Sequence, residues 1–357
     1  MILVPLSAFA LCVLLNHLAI SIFPKLKLLD FPVRYGLTRS PIPYPTGILA
    51  ILTFILFFSI LEPIRMQSIG VIFAVLILGI YTFADDRTPL PSWMRIVVQA
   101  LIAIIIFATG SRIYTITNPL EGVAGFGELI KLDTFDVMTA GFGPLPFWSG
   151  VFTVFWLMLT INALNWFDGI SGQVSSLSAI GFMTIAFLSL SSRVDQPELA
   201  MIAFVLSAIA FGCLLFDFPP PKVLMGDTGA MFFGLMLGIL TIYSGGKVAT
   251  AFLVLGVPLI DSGLVIISRL SKGRSPFKGS TSGEHIHHRL MEKGWSERKV
   301  IFMTVILGSL FGVTALFLST KEKFVAAVVL LLIMISLRLY SRKPGSYPIC
   351  VEKIHWN

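Results

Sequence analysis

Three of the chain's five histidines fall within four residues, as His285, His287 and His288, with Arg289 directly after them. Core packing does not produce such a concentration. Zinc is the first rival, but a zinc site needs further Cys or His ligands at a regular spacing, and none lies nearby. Imidazoles beside a guanidinium are better suited to a diphosphate or a nucleotide. Asp85 and Asp86 are adjacent and are followed by Arg87, Pro89, Leu90 and Pro91. Two neighbouring carboxylates repel, so at least one pKa rises unless a cation neutralises the pair, and that tuning suits a general base or a metal site. Asn162, Asn165 and Asp168 are spaced by three and so project to one side of a helix end. Gly169, Ser171 and Gly172 follow, and amides with a carboxylate at a glycine turn are apt for sugar hydroxyls or phosphates. In the turn Met225-Gly226-Asp227-Thr228-Gly229 the glycines permit close backbone approach, a following helix N-terminus favours phosphate, and Asp227 offers Mg2+ a hard oxygen ligand.

The elements that hold these groups are membrane helices. Hydrophobic residues make up 56% of the 357, charged residues only 13%, and the mean hydropathy is +0.89. Soluble domains carry about 25% charge, so a water-soluble enzyme, a disordered tail and a nucleic-acid-coating protein are all disfavoured. Charge-free stretches of bilayer length cover residues 1–24, 40–61, 66–84, 96–111, 137–167, 169–192, 199–216, 228–246 and 300–320. Residues 248–268 join them despite Asp261, and 324–337 join if Lys323 and Arg338 snorkel. The expected fold is therefore an all-α polytopic membrane protein of about eleven transmembrane helices, a single domain over 1–357. Its active site lies in cytoplasmic loops at about 24–44, 85–95, 165–173, 217–227 and 269–299. The first stretch lacks a basic start and is expected to remain as an anchor.

Sorting basic residues by alternate loops puts 19 of the 26 Lys and Arg on one side and 7 on the other. By the positive-inside rule the first set is cytoplasmic, the N-terminus outside and the C-terminus inside. The net charge of +7 is then topology, and no nucleic-acid partner is implied. Cys12, Cys213 and Cys350 have no paired spacing and read as inert packing residues. Residues 110–146 form an outer loop or small hairpin. Acids contribute little to topology, yet Asp85, Asp86, Asp168, Asp217, Asp227 and Asp261 all fall at the cytoplasmic face. Singly, each could be a helix cap; their joint placement from several helix pairs asks for a functional reason.

Together these segments, from about Asp30 to about Arg298, resemble the polyprenyl-phosphate N-acetylhexosamine-1-phosphate transferases of glycosyltransferase family 4, the bacterial initiating enzymes of lipid-linked glycan synthesis. Asp85-Asp86 matches the family's paired aspartates, Arg95 and Gln99 follow where a basic residue and Gln usually stand, and Asn162 to Gly172 matches Asn-Ala-x-Asn-x-x-Asp-Gly. Met225 to Gly229 matches the Gly-Asp-x-Gly turn, and His285 to Arg289 the His-x-His-His-Arg form of enzymes that use simple UDP-activated amino sugars rather than phospho-muramoyl-pentapeptide. Tyr44, Thr46 and Ala230 depart from the usual residues, and 279–284 lacks an Asp.

The resemblance implies transfer of a sugar 1-phosphate from a UDP-N-acetylhexosamine to polyprenyl phosphate in the bacterial inner membrane. It implies Mg2+, or Mn2+ in its place, on Asp227 with Asp168. It makes Asp85 the candidate base supported by Asp86, with Asp168 also catalytic. Arg95, Asn162, Asn165, His285, His287, His288 and Arg289 then hold the substrate. Direct attack and a two-step route through an aspartate are both compatible with these residues, as is a homodimer. The alternative is a polytopic transporter or channel with a cytoplasmic acidic site. Such a protein should show an internal repeat and acids near the midplane, whereas only Asp261 lies well inside a span.

Overall fold

The computed structural model describes residues 2–35, 39–118, 129–139, 143–192, 194–244, 252–275 and 283–341. Each apolar stretch coincides with a helix. These are α1 (Leu3–Ile22), α2 (Gly47–Leu61), α3 (Met66–Arg87), α4 (Ser92–Ala108), α5 (Phe147–Phe167), α6 (Gln173–Leu190), α7 (Pro197–Asp217) and α8 (Gly226–Tyr243), then α9 (Gly256–Leu270), α11 (Glu297–Phe317) and α12 (Thr320–Tyr340). The short α10 (Ile286–Glu292) carries the histidine segment. Among the described residues eight helices are long and apolar enough to cross a membrane, while α2, α4 and α9 are shorter. The protein is a multi-pass membrane protein.

Boundaries follow local chemistry. Proline starts α7 at its first turn, where no intrahelical N–H is missed. α12 is longer than the expected 324–337 because Ser319 and Glu322 form a capping box, the Ser319 N–H donating to Glu322 Oε2 at 2.7 Å. The expected helical stretch 137–167 is corrected at its start. Its Gly- and Pro-rich beginning, Gly143 to Pro146, instead forms β4, which pairs antiparallel with β3 (Asp136–Thr139), and α5 begins only at Phe147. A second ribbon pairs β1 (Thr115–Thr117) with β2 (Leu129–Lys131). The described part of the expected outer loop thus contains two short antiparallel ribbons. Of the expected stretch 248–268, residues 248–251 lie outside the described residues.

The core is organised around α8, buried along nearly its whole length and packed against α2, α3, α5, α6 and α7. A helix that is apolar on every side belongs inside a bundle. It approaches α2 so closely that a Cβ at Gly47 would stand 2.2 Å from the Gly229 nitrogen, the small-residue contact that lets membrane helices meet backbone to backbone. Three backbone bonds sew the same crossing: Leu224 N–H to Pro43 O, Thr46 N–H to Leu224 O and Gly47 N–H to Met225 O, each 2.9 Å. The first loop is thereby fixed against the Asp227 turn. Cys12 on α1 and Cys213 on α7, far apart in sequence, meet with 3.7 Å between their sulfurs and remain free thiols. Cys350 lies outside the described residues.

Candidate active site

The end of α3, the start of α4, the end of α5 and the start of α8 converge on Arg95. Its Nη2 lies 2.6 Å from Asp85 Oδ2 and 2.9 Å from Asp227 Oδ2, and its Nη1 donates to Asn165 Oδ1 at 3.1 Å. One planar guanidinium can serve three acceptors at fixed angles, which an ammonium cannot. The Leu90 N–H donates to the other oxygen of Asp85 at 2.7 Å, so the loop through Pro89 and Pro91 closes around that carboxylate. Four residues deeper in α4, Gln99 exchanges hydrogen bonds with Asn162, 2.6 Å from Asn162 Nδ2 to Gln99 Oε1 and 3.3 Å in return. Arg95 with Asn165 and Gln99 with Asn162 are therefore two rungs of one α4–α5 ladder. The expectation that Asn162, Asn165 and Asp168 act side by side is revised: Asn162 braces the helices one rung below Asn165.

Asp86 has a different task. Its Oδ1 accepts from the Tyr44 hydroxyl at 2.7 Å and the Asp227 N–H at 3.2 Å, and its Oδ2 from the Thr228 N–H at 3.0 Å and hydroxyl at 2.6 Å. The carboxylate of α3 thus caps the N-terminus of α8, where orphan amides and the helix dipole favour negative charge. Asp227, next on α8, keeps a third of its side chain exposed. Tyr44 appears in the sequence only as a departure from the family pattern; its hydroxyl explains its presence.

Asp168 lies just past the end of α5, half-buried, and its carboxylate meets no hydrogen-bond donor among the described residues. Burial and the like charges of Asp217, Asp227 and Asp86 push its carboxyl well above the usual range. Asp217 itself is removed from the expected acidic site. It is buried and accepts from the Gly172 N–H at 2.9 Å and the Ser175 hydroxyl at 3.0 Å, capping α6 from the end of α7.

The histidine helix joins this face through the turn after Asp168. Asp261, buried within α9, accepts from the Ile286 N–H at 3.0 Å and lies 2.7 Å from His285 Nδ1. It caps α10 and favours the Nδ1–H form of His285. His287 is fully buried, stacks on His285 with centroids 5.7 Å apart, stands edge-on to Phe167 and touches His288. Only a glycine fits opposite it, since a Cβ at Gly169 would be 1.9 Å from His287 Nε2. Neither ring nitrogen of His287 has a hydrogen-bond partner among the described residues. Burial, reinforced by the neighbouring imidazoles, holds His287 well below the ordinary histidine range; burial and His285 also lower His288. Both are neutral at pH 7 and offer hydrogen bonds rather than charge. Arg289 is two residues beyond His287, about 200° around the helix, and lines a separate cavity with Lys272 and Arg338. The structure does not gather all four motif residues on one side.

Residues 68–245, from the first turn of α3 to the end of α8, match the sequence profile of glycosyl transferase family 4. A Bacillus subtilis protein named as a probable undecaprenyl-phosphate N-acetylglucosaminyl 1-phosphate transferase is 30% identical over 290 residues, covering 79% of this chain and 74% of that protein. The chain belongs to glycosyl transferase family 4. More distant relatives include the undecaprenyl-phosphate alpha-N-acetylglucosaminyl 1-phosphate transferase of Escherichia coli, 26% identical over 72% of this chain and 67% of its own length. The phospho-N-acetylmuramoyl-pentapeptide-transferase of Staphylococcus epidermidis is 25% identical over 69% of this chain and 74% of its own. The family 4 match ends before α9, so the contact of Asp261 with His285 lies outside it.

Proposed function

We propose that the protein transfers N-acetylhexosamine 1-phosphate from a UDP-sugar to a polyprenyl phosphate, releasing UMP, at the cytoplasmic face of a bacterial inner membrane. The observation that carries this is the meeting of Asp85, Asp227 and Asn165 on Arg95 at the end of the buried helix α8 that Asp86 caps, beside Asp168 and the neutral histidines. The names of the relatives supply the substrate class, and the excess of Lys and Arg on the same face supports the orientation. In the reaction an oxygen of the lipid phosphate bonds to the sugar-bearing phosphorus. The bond from that phosphorus to the bridging oxygen breaks, and its electron pair leaves with UMP. Two anions must meet, so positioned positive charge is the main catalytic requirement.

Asp227 and Asp168 fit a Mg2+ or Mn2+ ion. Asp168 has no donor and is crowded by like charge, Asp227 is accessible, and both offer hard oxygens. Mg2+ takes one or two carboxylates plus phosphates and waters, so two such residues suffice. When bound, the ion would neutralise the diphosphate. Arg95 faces the same phosphates, and Asp85, with both oxygens engaged, works through Arg95 as a positioning residue instead of the expected base. Asp86 fixes the α8 N-terminus, Asn165 orients Arg95, and the half-buried His288 donates to phosphate or sugar oxygens while the buried His285 and His287, expected as direct donors, position it.

Purified protein supplied with UDP-GlcNAc, undecaprenyl phosphate and Mg2+ is expected to release UMP in proportion to lipid. UMP release at near wild-type rate by Asp227→Asn would remove the metal assignment. Liposomal solute flux without any UMP would replace the reaction with transport. Competition between UDP-GlcNAc and UDP-GalNAc identifies the sugar.

A further inference from the structure

A second cluster of charged groups lies on the far side of the histidine helix, where Arg289 points away from His287. Between the ends of α9 and α12, a cavity of about 190 Å³ is lined by Ser268, Lys272, Glu284, Arg289 and Arg338, among others. Ligand pockets for drug-sized molecules run from about 300 Å³ upward, so this cavity suits one phosphate-sized group with its waters. Three cations line it. Its one lining carboxylate, Glu284, is already ion-paired with Arg269, and a second, Glu292, stands at the rim beside Gly283. Among the described residues the lining thus carries three cations and one acid, itself paired with Arg269. Guanidinium forks and an ammonium are the groups that hold phosphate oxygens.

The surroundings choose the phosphate's source. Ile267 and Leu270 on α9, and Leu332 and Leu339 on α12, are exposed apolar side chains on the helices that form the cavity. α12 is the least buried of the spanning helices, with 11% of its apolar window inside the protein. At this end it is tied to the histidine helix region through Lys293, whose ammonium lies 4.0 Å from the centre of the Tyr340 ring. Basic pockets between membrane helices recognise anionic headgroups in this way.

We propose that this cavity binds the headgroup phosphate of an anionic glycerophospholipid whose acyl chains lie along α9 and α12. The lipid fastens α12 to the bundle and sets Arg289, which forms one wall. The proposal does not depend on the transfer reaction above.

Full-length protein in detergent is titrated with phosphatidylglycerol, phosphatidylcholine or inorganic phosphate, with native mass spectrometry and Tm as readouts. Phosphatidylglycerol is expected to stay bound and raise Tm, and phosphatidylcholine is not. Lys272→Ala/Arg338→Ala is expected to bind phosphatidylglycerol about 30-fold more weakly, which is about 2 kcal/mol for two interfacial cations. Lys321→Ala, at the opposite end of α12, is expected to bind it as wild type does. Should the double variant not fold, Lys272→Glu, at an exposed position, must give a comparable loss. Undiminished binding by these cavity variants, or equal retention of phosphatidylcholine, overturns the site. A response to inorganic phosphate with none to phosphatidylglycerol overturns the lipid.

Discussion

Gly169→Ala tests whether the histidine helix must lie flush on the turn after Asp168. The added Cβ would stand 1.9 Å from His287 Nε2, 2.6 Å from Cδ2 and 2.8 Å from Cε1. Non-bonded carbons rest about 3.5–4.0 Å apart, so the ring must retreat by well over an ångström, yet it is fully buried between Phe167, His285 and His288. Such overpacking costs about 1–3 kcal/mol, and at about 2–4 °C per kcal/mol for a large domain the Tm falls by roughly 2–12 °C. A displacement of about 1 Å in a positioning group lowers kcat about 100-fold. UMP release and thermal unfolding read the two effects separately. Adding His287→Ala to Gly169→Ala makes room for the methyl group, so Tm should recover above that of Gly169→Ala while kcat stays at the level of His287→Ala alone. The reasoning is refuted if Gly169→Ala keeps wild-type Tm and kcat. Full kcat in His287→Ala would reduce the imidazole to packing.

Arg95→Met is expected to lower kcat at least about 100-fold, the scale of a lost preorganised charge, with Arg95→Lys in between because one ammonium cannot reach Asp85, Asp227 and Asn165 together; equal kcat for Lys and wild type counts against the fork. Asp217→Asn should lower stability by about 0.5–2 kcal/mol, as lost caps do, with kcat and KM within about twofold; a tenfold fall in kcat would return Asp217 to the site. Because the folded-state pKa of His287 lies below its unfolded value of about 6.5, the unfolded chain binds the extra proton first as pH falls. Wild type should therefore lose stability relative to His287→Phe below pH 6.5, by about 1.4 kcal/mol per pH unit until the folded pKa is reached, and a gap that is constant from pH 7.5 to 5.5 would show that the imidazole already titrates freely.

The membrane class and the helix inventory were legible in the sequence because burying apolar side chains in lipid leaves a one-dimensional record: long charge-free runs broken by charged loops. The chemical residue types were legible for the same reason, since a carboxylate, amide or imidazole beside such a run has no cheap solvation and stands out. The division of labour among them was not. Asp85, Asp86, Asp168, Asp217, Asp227 and Asp261 look alike in the sequence. Packing separates them into a partner for Arg95, a cap for α8, a carboxylate with no donor among the described residues, a cap for α6, an accessible second partner for Arg95 and a clamp on His285.

Most of those differences arise from contacts distant in sequence: 42 and 142 residues from Asp86 to Tyr44 and Thr228, 45 from Asp217 to Gly172 and 24 from Asp261 to His285. No local periodicity encodes such contacts. The spacing of Asn162, Asn165 and Asp168 correctly marks one face of α5, but their depth against α4, and the end of the helix before Asp168, are set by the neighbouring helices. Likewise the sequence alone presents His285 to Arg289 as one motif, while a helix turning 100° per residue must send His287 and Arg289 to opposite sides. Composition and motif thus determined that this is a membrane-embedded family 4 chain with an aspartate-rich face. Only the tertiary structure decided which aspartates hold the scaffold and which are left to meet a ligand, because a carboxylate's role depends on the donors that reach it.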